Sequence, residues 1–215
     1  MPDAFGSVRI CFVRHAQARA ADGLYNERTG LSELGKRQAV GVVQAVRQRW
    51  KPTALYTSPH LRCLSTAMPL CEALRLQPLI DHRLREFEFD ACILSEAMAR
   101  PDLVIWEPTH RGAVNGETLA DFSRRVTRFL HEIVALHLGG DVVLVTHSGV
   151  IDAAIRWCIG VPAESPWMHD FPLSNASITE VEFWPHGRVE GGAPRYSAFL
   201  RVADCSHILD CASDM

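Results

Sequence analysis

The chain has no apolar segment long enough to cross a bilayer, and Met1 to Ser7 carry neither the basic nor the apolar region of a secretion signal. A cytoplasmic location without a membrane partner is expected. It also lacks an excess of basic residues: 22 Lys and Arg against 25 Asp and Glu leave a net charge of -3, which argues against a nucleic-acid surface and for a small partner. Cysteine is not organised as a disulfide framework. The seven cysteines are an odd number, and Cys11, Cys63, Cys71, Cys92 and Cys158 fall in apparent strands and helices, as reduced, mostly buried thiols do. There is no internal repeat and no low-complexity linker, so the 215 residues are expected to form a single domain, 1–215.

What is present is an alternation of short apolar runs with helical patterns. Val8 to Val13 reads as a buried strand, Ser32 caps a helix with Leu34, Val42, Val43 and Val46 on one face, and Trp50-Lys51-Pro52 stops it. Ala54 to Tyr56 is a second strand. Ser58 with Pro59 reads as an N-cap and first helical residue of a helix running to about Leu76, followed by a short strand at Pro78 to Ile80. The stretch from Asp81 to Gly116 has mixed signals, with a helix expected near Ser95 to Ala99, and 87–117 is expected to form a small cap over the site. Thr118 and Asp121 then form a capping box before Leu119, Phe122, Val126, Phe129, Leu130 and Ile133 at helical spacing. Asp141 to Thr146 is a continuous apolar strand of the parallel, doubly covered kind, leading into a helix through Ile151, Ala154, Ile155 and Cys158. Ser177 to Phe183 and Tyr196 to Val202 alternate about a turn at Gly187 to Gly192, as a hairpin at the sheet's edge would. The expected fold is α/β: a three-layer α/β/α sandwich on a mainly parallel central sheet with an edge hairpin.

Two of these strands end on a histidine, at Arg14-His15 and at His147. Arg62 and Glu86 occupy equivalent positions after the intervening strands. In a parallel α/β sheet the carboxyl ends of the strands are where ligands bind. Two arginines and two histidines converging with one carboxylate make a positive pocket suited to a dianionic phosphoryl group, and the backbone N–H groups after His147 and near Ser58 add helix N-termini to it.

In order along the chain, Arg14-His15-Ala16, Leu31-Ser32-Glu33-Leu34-Gly35, Thr57-Ser58-Pro59-His60-Leu61-Arg62 with Thr66-Ala67, Leu84-Arg85-Glu86, Gly116-Glu117-Thr118 and Thr146-His147-Ser148-Gly149 resemble the motifs of the histidine phosphatase superfamily, the group that includes the phosphoglycerate mutases. The resemblance implies a metal-independent phosphomonoesterase that needs no cofactor and acts through a phosphohistidine on a small phosphorylated metabolite. His15 would be the nucleophile. Arg14, Arg62 and His147 would hold the phosphoryl oxygens, and Glu86 would be the general acid, its pKa raised by burial against the pull of the cations. Glu88 and Asp90 stand close enough to Glu86 to compete for that role. Ala16 departs from the family's glycine, and the family's phosphate-contacting Asn has no clear match: Gln17 is the first substitute, Asn26 the second. Ser148 also replaces a glycine, and its hydroxyl either contacts phosphate or caps the following helix. Glu117 is assigned behind the site or to a helix N-terminus. Arg83, Arg85 and Arg111 are candidates for steering substrate, or else plain surface charge.

The competing readings are a phosphoglycerate-type mutase, disfavoured because 87–115 is short for a water-excluding cap, and a catalytically silent phospho-ligand binder. A serine hydrolase at Ser148 lacks the first glycine of the nucleophile elbow. Cys205, His207 and Cys211 contain zinc-ligand types without the paired spacing of a zinc motif, so no metal site is expected there. The oligomeric state is left open, a homodimer being one arrangement.

Overall fold

In a computed structural model, which describes residues 6–19, 26–88, 107–168, 171–184 and 196–208, the elements in chain order are β1 (Val8–Arg14), α1 (Glu33–Arg49), β2 (Ala54–Thr57), α2 (Leu61–Leu74), β3 (Pro78–Ile80), a 3₁₀ turn (His82–Leu84), α3 (Leu119–Leu136), β4 (Asp141–Thr146), α4 (Ser148–Cys158), β5 (Ile178–Trp184) and β6 (Tyr196–Asp204). The apolar run of β4 explains the layering. Every one of its residues is buried, and alternate side chains point to opposite faces. Val142 and Leu144 join one core with Phe122, Phe129, Ile151 and Trp157 of α3 and α4, whereas Val143 and Val145 join a second core with Val42, Val46, Cys63 and Leu70 of α1 and α2. β1 splits in the same way, with Phe12 on the first side and Cys11 and Val13 on the second. The three-layer expectation is therefore what the chain adopts.

The strand order is β3-β2-β4-β1-β5-β6. β3, β2, β4 and β1 are parallel, and β5 runs antiparallel to β1 with β6 antiparallel to it at the edge, as the alternating pattern implied. Arg14 stands opposite Thr146, and Thr57 opposite Val145. The residues after these strands, Ser58, His147 and His15, thus emerge side by side at one end of the sheet.

Two local expectations are corrected. The first concerns α2, which begins at Leu61 rather than Pro59. Ser58 still belongs to the sheet, donating its N–H to the Val145 carbonyl at 3.1 Å, so the chain cannot turn into the helix until His60 takes the N-cap position. α2 ends at Leu74, with Arg75 in the left-handed region at φ 57. The second concerns α1, where Val42 and Val46 are buried and Val43 packs against the same core as expected, joined by Gly35, Gln38, Ala39 and Ala45, whereas Leu34 is only half-buried. Ser32 caps α1 through the Gly35 N–H at 3.0 Å, as read from sequence. The helix expected near 95–99 and the turn at 187–192 lie outside the described residues, as does most of the expected cap.

Cys11, Cys63, Cys71 and Cys158 are free thiols. His207 donates from Nε2 to the Ala176 carbonyl at 2.9 Å, which removes that nitrogen as a metal ligand, and Cys211 lies outside the described residues. Among the described residues no helix is long and apolar enough to cross a membrane.

The capping box of α3 is present in both directions: the Thr118 hydroxyl accepts from the Asp121 N–H at 3.1 Å, and the Asp121 carboxylate accepts from the Thr118 N–H at 3.3 Å. Thr118→Ala should cost about 1 kcal/mol. A shift of the urea midpoint with an unchanged slope checks it, and no shift would mean that tertiary packing alone sets the start of α3.

Candidate active site

His15 follows β1, and its backbone continues the sheet, donating to the Thr146 carbonyl at 2.8 Å while its own carbonyl accepts from Ala176 N and Asn175 Nδ2, both at 3.2 Å. The ring is 5% exposed. Its Nδ1 lies 2.9 Å from the Ala16 carbonyl oxygen. A carbonyl only accepts, so Nδ1 carries the proton and Nε2 keeps the lone pair. Burial pushes the His15 pKa down to about 3, and the charges of Arg62 and Arg14 add to that against the Ala16 hydrogen bond, so the ring is neutral in ordinary buffers. Ala16 is itself buried, with its N–H on Thr66 Oγ1 at 3.0 Å. Its backbone is not in the positive-φ region, so its methyl group brings no strain where the family has glycine.

His147, the N-cap residue of α4, is fully buried 5.2 Å from the His15 ring, centroid to centroid, at 68°. Arg62 Nη2 lies 3.2 Å from His147 Nδ1, and since a guanidinium only donates, that nitrogen accepts. Nε2 therefore carries the proton and donates to Ser58 Oγ at 2.9 Å. Burial first, then the neighbouring His15 and Arg62, hold this imidazole well below its ordinary pKa. Arg62 is 5% exposed in the first turn of α2 and also donates from Nη1 to the Asn26 carbonyl at 3.0 Å. Arg14, at the end of β1, donates to the Leu173 carbonyl.

Glu86 lies against the start of α4, where it accepts from Gly149 N at 3.1 Å and from Phe87 N at 3.0 Å. An alanine at Gly149 would put its Cβ 2.3 Å from Glu86 Oε1, so this approach requires glycine. Desolvation raises the Glu86 pKa, opposed by those two N–H groups and by Arg62 and Arg14. Glu88, two residues on, is exposed, and Asp90 lies outside the described residues.

The structure thus brings Arg14, His15, Arg62, Glu86 and His147 to one end of the sheet. The Gln17 Oε1 accepts from the Ser32 hydroxyl at 2.6 Å, tying the loop to the cap of α1. Ser148 does not cap α4. His147 holds the N-cap position, and the Ser148 hydroxyl points to Glu86 Oε2 at 3.5 Å, long for a hydrogen bond. Glu117 stands behind the site in an ion pair with Arg125, whose Nη1 donates to the carbonyls of Arg83 at 2.7 Å and Arg85 at 3.0 Å.

Sequence reasoning missed Arg125, Ser58 and Thr146 as supports. Arg125 clamps the backbone just before Glu86, and the Thr146 hydroxyl donates to the Leu84 carbonyl of the same segment at 2.8 Å. Arg125 is spaced eight residues from Glu117 and looks like any helix-surface cation, so only the fold reveals the pairing.

A compact cluster of guanidinium groups and neutral imidazoles with one carboxyl group of raised pKa suits a phosphoryl group. The model of the histidine phosphatase superfamily (branch 1) matches residues 10–190. The chain is 30% identical to phosphoserine phosphatase 1 of Hydrogenobacter thermophilus over 186 residues, covering 81% of this chain and 86% of that protein. It is also 30% identical to the glucosyl-3-phosphoglycerate phosphatase of Mycolicibacterium vanbaalenii over 204 residues, 85% of this chain and 87% of that one. A solved native structure of a mycobacterial glucosyl-3-phosphoglycerate phosphatase superposes with a TM-score of 0.68 at 28% identity, covering 82% of this chain and 91% of its own. The chain belongs to the histidine phosphatase superfamily and is a phosphomonoesterase of that family.

The buried imidazoles make stability depend on pH. His15, His147 and their neighbour His60 are all held below the ordinary 6.5 in the folded chain, His60 at about 4 and His15 at about 3. The unfolded chain binds protons on these rings from about pH 6.5 downward while the folded chain does not, so unfolding takes up protons and stability falls as the pH drops below 6.5. Urea midpoints measured from pH 8 to pH 4 should stay level above pH 7 and then decline, with His60→Leu flattening the decline. A His60→Leu profile parallel to that of the unaltered protein would contradict the assignment.

Proposed function

We propose that this chain hydrolyses a small phosphate monoester in the cytoplasm through a phosphohistidine on His15. The observation that carries the reading is the Nδ1–H of His15 on the Ala16 carbonyl, which leaves the Nε2 lone pair beside His147 and Arg62.

Nε2 attacks phosphorus in line and the ester P–O bond breaks, its electron pair going to the leaving oxygen. Glu86, whose carboxyl pKa is raised by burial, gives that oxygen its proton and is left as carboxylate. A water molecule then attacks the phosphohistidine, Glu86 accepts its proton, the P–N bond breaks and inorganic phosphate leaves. Glu86 is supported in this role over Glu88 by its place on the α4 N-terminus, since Glu88 is exposed. Arg14 and Arg62 balance the charge of the equatorial oxygens. A bound dianion draws Arg62 off His147 Nδ1 and favours protonation of that ring, which then donates from Nδ1 to phosphate and from Nε2 to Ser58. Positive charge comes from guanidinium and imidazolium groups, so no metal ion enters any step. The 87–117 segment is proposed as the cap that chooses the alcohol portion. The free thiols of Cys11, Cys63, Cys71 and Cys158 suit a reducing compartment.

His15→Ala should bring hydrolysis of an aryl phosphate to background with the circular dichroism unchanged, whereas Glu86→Gln should retain measurable turnover, reduced by about 10²–10⁴-fold. The unaltered enzyme should be indifferent to a chelator. Activity that survives in His15→Ala, or is lost on chelation, would refute the mechanism.

A further inference from the structure

Three buried histidines crowd this end of the sheet, and the reaction uses two. The third, His60, is 5% exposed and occupies the N-cap position of the 14-residue helix α2, where its side chain makes no capping bond. Its ring meets the ring of His147 edge-on, with centroids 4.9 Å apart at 70°. Both Nδ1 and Nε2 are buried without a hydrogen-bond partner among the described residues. A buried imidazole left unsatisfied at both nitrogens is costly, and an apolar side chain would fill the same space without that cost.

A second orphan stands nearby. Of the three arginines singled out as steering candidates, Arg83 pairs with Asp81 and Glu132, and Arg111 donates to the Gly116 carbonyl. Arg85 differs: its Nε is buried without a partner among the described residues, and its backbone is clamped by Arg125 immediately before Glu86. Burial first, and then the charges of Arg62, Arg85 and Arg125, keep His60 a neutral ring with one N–H to donate.

The strand order decides which part of a substrate these groups face. β2, β4 and β1 are neighbours in that order, so His60, following β2, lies across His147 from His15. In-line attack by His15 sends the leaving group away from His15, toward the side that holds His60, Arg85 and Glu86.

We propose that His60 and Arg85 form a subsite for a carboxylate carried on the alcohol portion of the phosphate ester. The proposal rests on the phosphatase reading above. A carboxylate fits because it takes the guanidinium and the imidazole N–H together and offers no proton that would need an acceptor. A second phosphate would bring more negative charge than one guanidinium and one neutral ring balance.

The test uses the intact enzyme hydrolysing an aryl phosphate, with 3-phosphoglycerate and glycerol 3-phosphate as competitors that differ in the carboxylate. The unaltered enzyme should bind 3-phosphoglycerate at least about tenfold more tightly, the size of one hydrogen bond to a charged group. His60→Leu and Arg85→Leu should each shrink that ratio several-fold, and His60→Asn, which restores a donor, should recover part of it. The inhibition constant of orthovanadate, which has no alcohol portion, should move much less than that of 3-phosphoglycerate. If His60→Leu does not fold, Arg85→Leu carries the same test. The subsite is overturned if the unaltered enzyme shows no preference, if both leucine variants keep the ratio, or if vanadate weakens as much as 3-phosphoglycerate. An unaltered enzyme inactive on the aryl phosphate would instead bring down the phosphatase reading, and the subsite with it.

Discussion

The site depends on keeping histidines neutral beside arginines. His15 and His147 are buried at the ends of adjacent parallel strands, where desolvation and the charges of Arg14 and Arg62 both disfavour protonation. Hydrogen bonding then decides which nitrogen of each ring holds its proton. The Ala16 carbonyl fixes it on Nδ1 of His15, and the Arg62 guanidinium fixes it on Nε2 of His147. Adjacent rings of one residue type are thereby given opposite tautomers, one with its lone pair held at Nε2 and the other ready to take a proton at Nδ1 when a dianion arrives.

That arrangement needs rigid supports, and the sheet supplies them. Backbone bonds hold His15 to Thr146 and Ser58 to Val145, so three strand ends are locked in register before any side chain is placed. Glu86 comes from a less regular segment and is correspondingly more tied down: by Thr146 and Arg125 on its backbone, and by the α4 N-terminus on its carboxyl group. The positive end of a helix that would otherwise attract phosphate is thus partly occupied by the carboxyl group proposed as the general acid.

Much of this was legible because periodicity reports burial. β4 reads as a doubly covered strand because all its residues are apolar or at the edge, and α3 declares its start through Thr118 and Asp121 and its buried face through spacing alone. The start of α2 was misread because Ser-Pro is a helix-start signal locally, whereas the sheet bond of Ser58 to Val145 is a long-range fact. Gln17 is polar and next to the histidine loop, but that Ser32 holds its amide oxygen is a contact between separate segments that the sequence does not show. His60 carries no signal of its own in the sequence, and Arg85 reads there only as a steering candidate or surface charge. Their meaning comes from the His60 ring nitrogens and the Arg85 Nε being buried without partners among the described residues.

The account's central claim is that Nε2 of His15 becomes covalently bonded to phosphorus. The most direct measurement is rapid acid-free quenching of a single turnover with a ³²P-labelled monoester, followed by peptide mapping. A base-stable, acid-labile label on the peptide containing His15, formed and lost at rates compatible with turnover and missing in His15→Ala, is the predicted result. Full hydrolysis with no label on His15 at any quench time would contradict it and leave direct attack of water on the ester.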